Sequence, residues 1–253
     1  DQSPIDGVQT DFAALARFSK EGVDLMLSDS TNATNPHFTP SEAEVGKALD
    51  QIFSGAKGRV IVASFASHIH RMQQICDAAV KNGRKVAVTG RSMVQNTDIA
   101  RRLGYLNISD SDIIDAYDLK GMPSDSYVVM CTGSQGEPLS ALARIAGGNH
   151  KTISIEEGDT VIISATPVPG NEKAVTRVVN SLAKIGADVY DKSRACVHVS
   201  GHAGAEELKL VLSIVHPQAF LPVHGEATHL RAHANLAQAI GVAPENVFIL
   251  ENG

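Results

Sequence analysis

The chain has 253 residues, 43% of them hydrophobic and 20% charged, a globular balance with length for one large or two small domains. No apolar run approaches the ~18 residues of a membrane span. A net charge of −6 gives no global basic footprint for nucleic acid, so any polyanion needs a local cationic site or a bound metal. Cys76, Cys131 and Cys196 lie far apart, are odd in number and form no C-x-x-C pair. They argue against a disulfide scaffold or a cysteine zinc site, and predict a reducing, cytoplasmic setting. Asp1-Gln2-Ser3-Pro4 lacks the basic-then-apolar pattern of a signal peptide. Without an initiator Met, and ending just after an apolar run, the sequence reads as a trimmed part of a longer protein.

In chain order, residues 11–20 predict a helix and 23–27 a strand. The strand runs into Ser28-Asp29-Ser30-Thr31-Asn32, a polar cluster at a strand C-terminus, the edge where open α/β sheets collect ligands. A turn or cap aspartate is the plainer role for Asp29. Thr39-Pro40-Ser41-Glu42 predicts a helix start, with Thr39 as cap and Glu42 closing a capping box, and the helix runs to about Phe53. Residues 60–65 predict a buried strand that feeds Ala66-Ser67-His68 and a helix over 69–82, closed by Gly83. Ser67 and His68 then sit at a helix N-terminus, where free N–H groups favour a phosphate, and Arg71 is placed to add charge. The plainer role for Ser67 is to cap its own helix. His68 and His70 form an H-x-H pair, but Arg71 and Met72 stand where a dinuclear H-x-H-x-D-H site needs Asp and His, so they are not read as metal ligands.

Residues 86–89 predict a strand, 97–103 a helix ended by Gly104, and 107–126 a surface connection. A strand over 127–132 leads into Gly133-Ser134-Gln135-Gly136-Glu137-Pro138 and a helix over 139–146. That loop is either an anion cradle or a tight turn; it lacks the P-loop lysine and the dinucleotide glycine pattern. A strand over 160–165 exits through Pro167, Pro169 and Gly170 into a helix over 171–185, closed by Gly186.

Residues 198–226 draw most attention. His198-Val199-Ser200-Gly201-His202 and Leu221-Pro222-Val223-His224-Gly225-Glu226 are two Gly-containing turns that present histidines. Between them residues 206–215 predict a helix with Leu208, Val211, Leu212 and Val215 on one face, and 220–223 a short strand. Turn, helix, strand and turn place His202 and His224 at one sheet edge, although a histidine in a turn is more often solvated than catalytic. A helix over 228–240 carries His229 and His233 at i, i+4; without a glutamate between them they read as a solvated face. Residues 247–250 predict a final strand. The strand–helix rhythm implies an α/β fold of parallel strands joined by right-handed crossovers, with helices on both faces.

Ser28-Asp29-Ser30-Thr31-Asn32-Ala33, Ser64-Phe65-Ala66-Ser67-His68-Ile69-His70-Arg71, Cys131-Thr132-Gly133-Ser134-Gln135-Gly136-Glu137-Pro138, Thr166-Pro167-Val168-Pro169-Gly170-Asn171, Ser200-Gly201-His202 and Pro222-Val223-His224-Gly225-Glu226 follow one another along the whole chain. Their order resembles that of ribonuclease J, the bacterial branch of the metallo-β-lactamase/β-CASP nucleases. The resemblance implies a β-CASP domain with a mostly parallel sheet flanked by helices, plus a partial metallo-β-lactamase αββα domain. It divides the chain into residues 1–38, a β-CASP domain over 39–193, and a return into the first domain over 194–253.

The resemblance further implies that Asp29 is the acidic residue orienting His202, that His202 faces the scissile phosphate, and that His224 ligates one of two zinc ions. It assigns Ser67, His68, Ile69 and His198, Val199, Ser200, Gly201, His202 to RNA phosphates. The implied activity is zinc-dependent RNA hydrolysis, 5′-to-3′ with endonuclease action, on single-stranded RNA, by a homodimer or higher oligomer without membrane attachment. The H-x-H-x-D-H motif that builds most of the family's zinc site is absent from these residues, so the chain alone is expected to be inactive. The alternative is a non-catalytic RNA-binding or oligomerisation module. A nucleotide-binding domain using residues 132–136 is disfavoured by the missing lysine.

Overall fold

The computed structural model describes residues 3–137, 140–168 and 170–251; the expectations at Asp1, Gln2, Pro138, Leu139 and Pro169 lie outside them. In chain order the elements are α1 (Phe12–Glu21), β1 (Leu25–Asp29), α2 (Ala43–Gly55), β2 (Val60–Ala63), α3 (Ile69–Lys81) and β3 (Lys85–Thr89). There follow α4 (Arg91–Arg102), β4 (Ile113–Asp115), β5 (Tyr127–Cys131), α5 (Ala141–Ala146) and β6 (Thr160–Ile163). The last are α6 (Glu172–Ile185), β7 (Asp188–Tyr190), α7 (Ala205–Val215), β8 (Ala219–Val223) and α8 (Ala227–Ala239). No helix among the described residues is long and apolar enough to cross a membrane. The chain forms two compact units, Asp1–Ser41 with Ser200–Gly253, and Glu42–Val199.

The Glu42–Val199 unit is built on a six-stranded sheet in the order β4-β3-β5-β2-β6-β7, parallel throughout. All four residues of β2 are buried, as expected of a strand covered on both faces. Their alternation divides the core. Val60 and Val62 join Leu49 and Phe53 of α2, Met72 and Ile75 of α3 and Met93 of α4, whereas Ile61 and Ala63 join Leu142 and Ile145 of α5 and Val178 and Leu182 of α6. Period two in the strand thus meets period 3.6 in the helices on each side. Truncating Phe53, 1% exposed, to Ala would cost about 3–5 kcal/mol.

The other unit pairs β1 with β8 in parallel, and the register sets Asp29 beside Val223. Its small core gathers Leu212, Phe220 and Ala237, with Met26, Ile240, Val242 and Val247 against it.

The parallel α/β architecture agrees with the expectation, and several local readings are corrected. Residues 247–250 form no strand; Val247 makes one bridge to Phe220. The stretch 107–126 is not merely a surface connection, because it supplies β4 and buries Ala116 and Leu119. Helix α4 begins at Arg91 rather than 97, and β7 escaped the periodicity because it is only three residues long. Helix α2 begins at Ala43 with Glu42 as its N-cap residue, not at Pro40 behind Thr39, whose hydroxyl donates to the His202 carbonyl (2.8 Å).

Candidate active site

Asp29 ends β1 and His224 follows β8, so parallel pairing brings the two turns to one edge. His224 adopts φ 59°, a left-handed conformation uncommon outside glycine and found at sites that the surroundings over-determine. The next residue, Gly225, has φ 135°, and a Cβ there would lie 3.0 Å from the His229 Cβ. His224 Nδ1 lies 2.6 Å from Asp29 Oδ1 and 2.8 Å from Thr31 Oγ1, and the Thr31 hydroxyl lies 2.8 Å from the same carboxylate oxygen.

His202 stands before α7 and approaches the other oxygen, with Nδ1 2.9 Å from Asp29 Oδ2. Its own backbone is fixed. The Asn32 amide donates to the His202 carbonyl (3.2 Å) alongside Thr39, and the His202 N–H donates to Ser200 Oγ (3.1 Å). At the start of α7, Glu207 Oε2 accepts from the N–H groups of Gly204 (2.8 Å) and Thr39 (3.0 Å). Gly204 permits this close fit, because a Cβ would run into the His37 carbonyl. The carboxylate of Asp29 is therefore shared, one oxygen to each imidazole, and the rings stand 5.7 Å apart at 36°.

Partial burial of Asp29 pushes its pKa up, but hydrogen bonds from Thr31, His224 and His202 outweigh this and hold it at about 2. An ionised carboxylate has no proton to give, so each contact requires Nδ1–H on the histidine, with Nε2 on the far side of the ring. Asp29 and His202 line an open hollow of about 460 Å³ with Ser28, Gly201, Ala203, Leu208 and Val211.

Of the expected phosphate-binding residues, Ser200, Gly201 and His202 belong to the same unit as Asp29. Ser67, His68 and Ile69 belong to the Glu42–Val199 unit, at the N-terminus of α3, in a hollow of about 390 Å³ shared with Phe65 and His70. The cap of α3 is His68, whose Nδ1 accepts from the Arg71 N–H (3.1 Å); Ser67 is exposed and does not cap. Arg71 cannot reach a ligand, contrary to expectation, because it is fully buried. Its guanidinium forms a two-pronged pair with the Glu42 carboxylate, and Nη1 donates to Ser164 Oγ (2.6 Å) and to the Val197 carbonyl (3.1 Å). His198 follows Val197. Burial, and after it the Arg71 charge, lowers the pKa of His198 to about 4 and pushes His68 the same way. Val199 is buried in this unit, while Ser200 and Gly201 open the other. The loop after β5 is used internally: Gln135 donates to the Thr166 carbonyl (2.9 Å) and accepts from the Val168 N–H (2.7 Å).

Residues 57–182 match the family model Ribonuclease J, beta-CASP domain, and residues 186–250 match the model Zn-dependent metallo-hydrolase RNA specificity domain. Over its entire length the chain is 52% identical to ribonuclease J of Mycolicibacterium smegmatis, covering 45% of that protein. It is likewise 47% identical to ribonuclease J of Thermus thermophilus, covering 44%, and 46% identical to ribonuclease J 1 of Streptococcus pyogenes, covering 45%. The chain belongs to the ribonuclease J family. It spans a little under half the length of those curated relatives, with a β-CASP domain and part of the metallo-β-lactamase domain.

In this ribonuclease J-family chain, Asp29, His202 and His224 offer donor atoms that all lie within 4.8 Å of one another. One carboxylate and two imidazoles are donors that zinc accepts, but a closed zinc site takes four ligands, so the three form a partial set. Other members of the site escaped sequence reasoning. Thr31 and Asn32 stood in the polar cluster at the end of β1 without an assigned role, and Thr39 was read as a helix cap. His229 and His233 do not form a solvated face: His229 Nδ1 accepts from the Glu226 N–H (3.1 Å), capping α8. His233 is buried, edge-on to Phe220 at 4.7 Å, with its pKa lowered to about 4 by burial.

Proposed function

We propose that the chain carries the acid–base edge of a ribonuclease J-type phosphodiesterase that hydrolyses single-stranded RNA, 5′-to-3′ and internally. The observation that supports this best is the Asp29 carboxylate holding one imidazole on each oxygen. Asp29 stays ionised at neutral pH and fixes the tautomer of both rings. His202 then turns Nε2 away from Asp29, where it holds or releases a proton at the leaving 3′ oxygen of a phosphodiester. His224 would be this chain's main zinc ligand, with Thr31 and Asp29 orienting its ring as outer hydrogen-bond partners do for metal-binding histidines. Zinc, when bound in a pair, supplies Lewis-acid charge for phosphoryl oxygens and lowers the pKa of water.

Ser67, His68, Ile69 and the residues from His198 to His202 hold flanking RNA phosphates. The lowered pKa values of His68 and His198 make these contacts neutral N–H donors rather than imidazolium charges. In the complete protein, His202→Ala should reduce cleavage of a labelled single-stranded RNA by about two to four orders of magnitude; cleavage at the parent rate would end this reading. Ser67→Ala or His198→Ala should weaken RNA binding and leave zinc content unchanged, and lost metal would refute the phosphate assignment. The 253-residue chain by itself should hold less than one tightly bound zinc at neutral pH and leave RNA intact, because its three donors do not complete a four-ligand site. The same reading includes a homodimer or higher oligomer, checked by the mass of the protein in solution.

A further inference from the structure

We infer that His233 is a positioning residue for the Asp29–His202–His224 centre and acts through Ser30. The role in catalysis rests on the nuclease reading above; the clamp itself rests on geometry alone. His233 sits on α8 with no exposed surface, its ring edge-on to Phe220. If packing alone decided this position, an apolar ring or branched chain would serve better, because a buried imidazole costs free energy unless its nitrogens are paired. Only one is. Nδ1 lies 3.0 Å from Ser30 Oγ, and Nε2 is buried with no partner among the described residues. The Ser30 contact is thus what this buried polar group provides in return.

Ser30 is itself fully buried and stands between Asp29 and Thr31, the two residues that contact His224 Nδ1. Its N–H donates to the carbonyls of Val223 (2.9 Å) and His224 (3.2 Å). The backbone of Ser30 therefore grips the turn after β8, and its side chain grips α8, which starts just beyond that turn. The path from His224 through α8 to His233, across to Ser30 and back to Asp29 closes a ring around the site. Such a ring supports the left-handed φ of His224 and the 2.6 Å spacing from its Nδ1 to Asp29. Removing either half of the His233–Ser30 contact frees the Asp29–Thr31 turn to shift against His224.

Ring nitrogen NMR signals of His202 and His224 in the 253-residue chain report this directly, with urea unfolding as the control for stability. Ser30→Ala and His233→Phe should each move the His224 ring from a single Nδ1–H tautomer towards a mixture. The double variant should move it no further than either single one. His233→Asn, whose amide can meet the Ser30 hydroxyl from about the Nδ1 position, should restore it. In the complete protein Ser30→Ala should lower kcat about tenfold with KM unchanged, the scale of losing an outer partner of a metal-binding histidine. Unchanged His202 and His224 ring signals in folded Ser30→Ala overturn the clamp, whatever becomes of His233→Phe. Ring signals that respond in a complete protein whose RNA cleavage survives Asp29→Ala leave the clamp standing and sink the nuclease reading instead.

Discussion

Two pairs of histidines in this molecule are set beside opposite charges. His202 and His224 face the carboxylate of Asp29, with side chains 43% and 69% exposed. His68 and His198 lie close to Arg71, which is 0% exposed and pinned by Glu42, Ser164 and Val197. Around Asp29 the imidazoles donate Nδ1–H to the carboxylate and turn Nε2 away from it. Around Arg71, burial and the buried cation oppose any added proton, and the rings stay neutral. The residue type is common to both places; around Arg71 burial comes first and the neighbouring cation second in keeping the rings neutral.

The largest expected effect tests the first pair. Asp29→Ala in the complete protein removes the partner of both rings and should cut RNA cleavage by about a thousandfold or more. A loss smaller than tenfold in a folded variant would show that the carboxylate does not organise them. The second pair is tested through its cation. Arg71→Leu removes the two-pronged cationic partner of the Glu42 carboxylate at a mostly buried position and should cost about 3–5 kcal/mol, read from the urea midpoint. Arg71→Lys should recover only part of this, because an ammonium cannot form the two-pronged contact. A Leu variant as stable as the parent would mean the network is dispensable for the fold.

Acid titration separates the regions by pH window. His233 and His198 have folded pKa values lowered to about 4, while histidines of the unfolded chain titrate near ~6.5. Between those values the unfolded chain binds more protons, so stability falls as pH drops from about 6.5 to about 4 and then levels off. For the fully buried His233 the loss is about 3 kcal/mol, and His233→Phe should flatten that part of the curve. Asp29 acts lower. Its depressed carboxyl gives stability that is present above ~3.9 and lost as pH falls through about 2. A stability curve flat between pH 6.5 and 4 would contradict neutral burial of these histidines.

The smallest effect is chemical labelling. The thiols of Cys76 and Cys131 are buried and pushed up to about 12; Cys196, two residues before His198, is exposed, although partial burial raises its thiol as well. A thiol reagent at mildly alkaline pH should add one label per folded chain, at Cys196, as read by mass spectrometry. A label on Cys131 would mean that the central sheet opens more readily than its burial implies.

Much of the fold was legible because it rests on local rules. The apolar run at Val60–Ala63 and the amphipathic pattern of α3, α6 and α7 repeat within a few residues. Glycines with positive φ follow α3, α6 and α8 where the sequence put them. Short elements such as β4 and β7 were missed because three residues carry too little periodicity to stand out. In the site, Asp29, His202 and His224 were picked out by motif order, and the structure brings them together. The division of the Asp29 oxygens between two rings, and the part played by Thr31, were not readable.

What the sequence determined by itself was the α/β alternation, the family, and which residue types stand at the turns. Only the tertiary structure decided which of those residues meet. Arg71 looked like a phosphate contact until Glu42, Ser164 and Val197, lying 29, 93 and 126 residues away, surrounded it. His233 looked solvated until Phe220 and Ser30 closed over it. Propensity and periodicity act within a turn or a strand, whereas burial and the sign of a neighbouring charge depend on chain that arrives from far away.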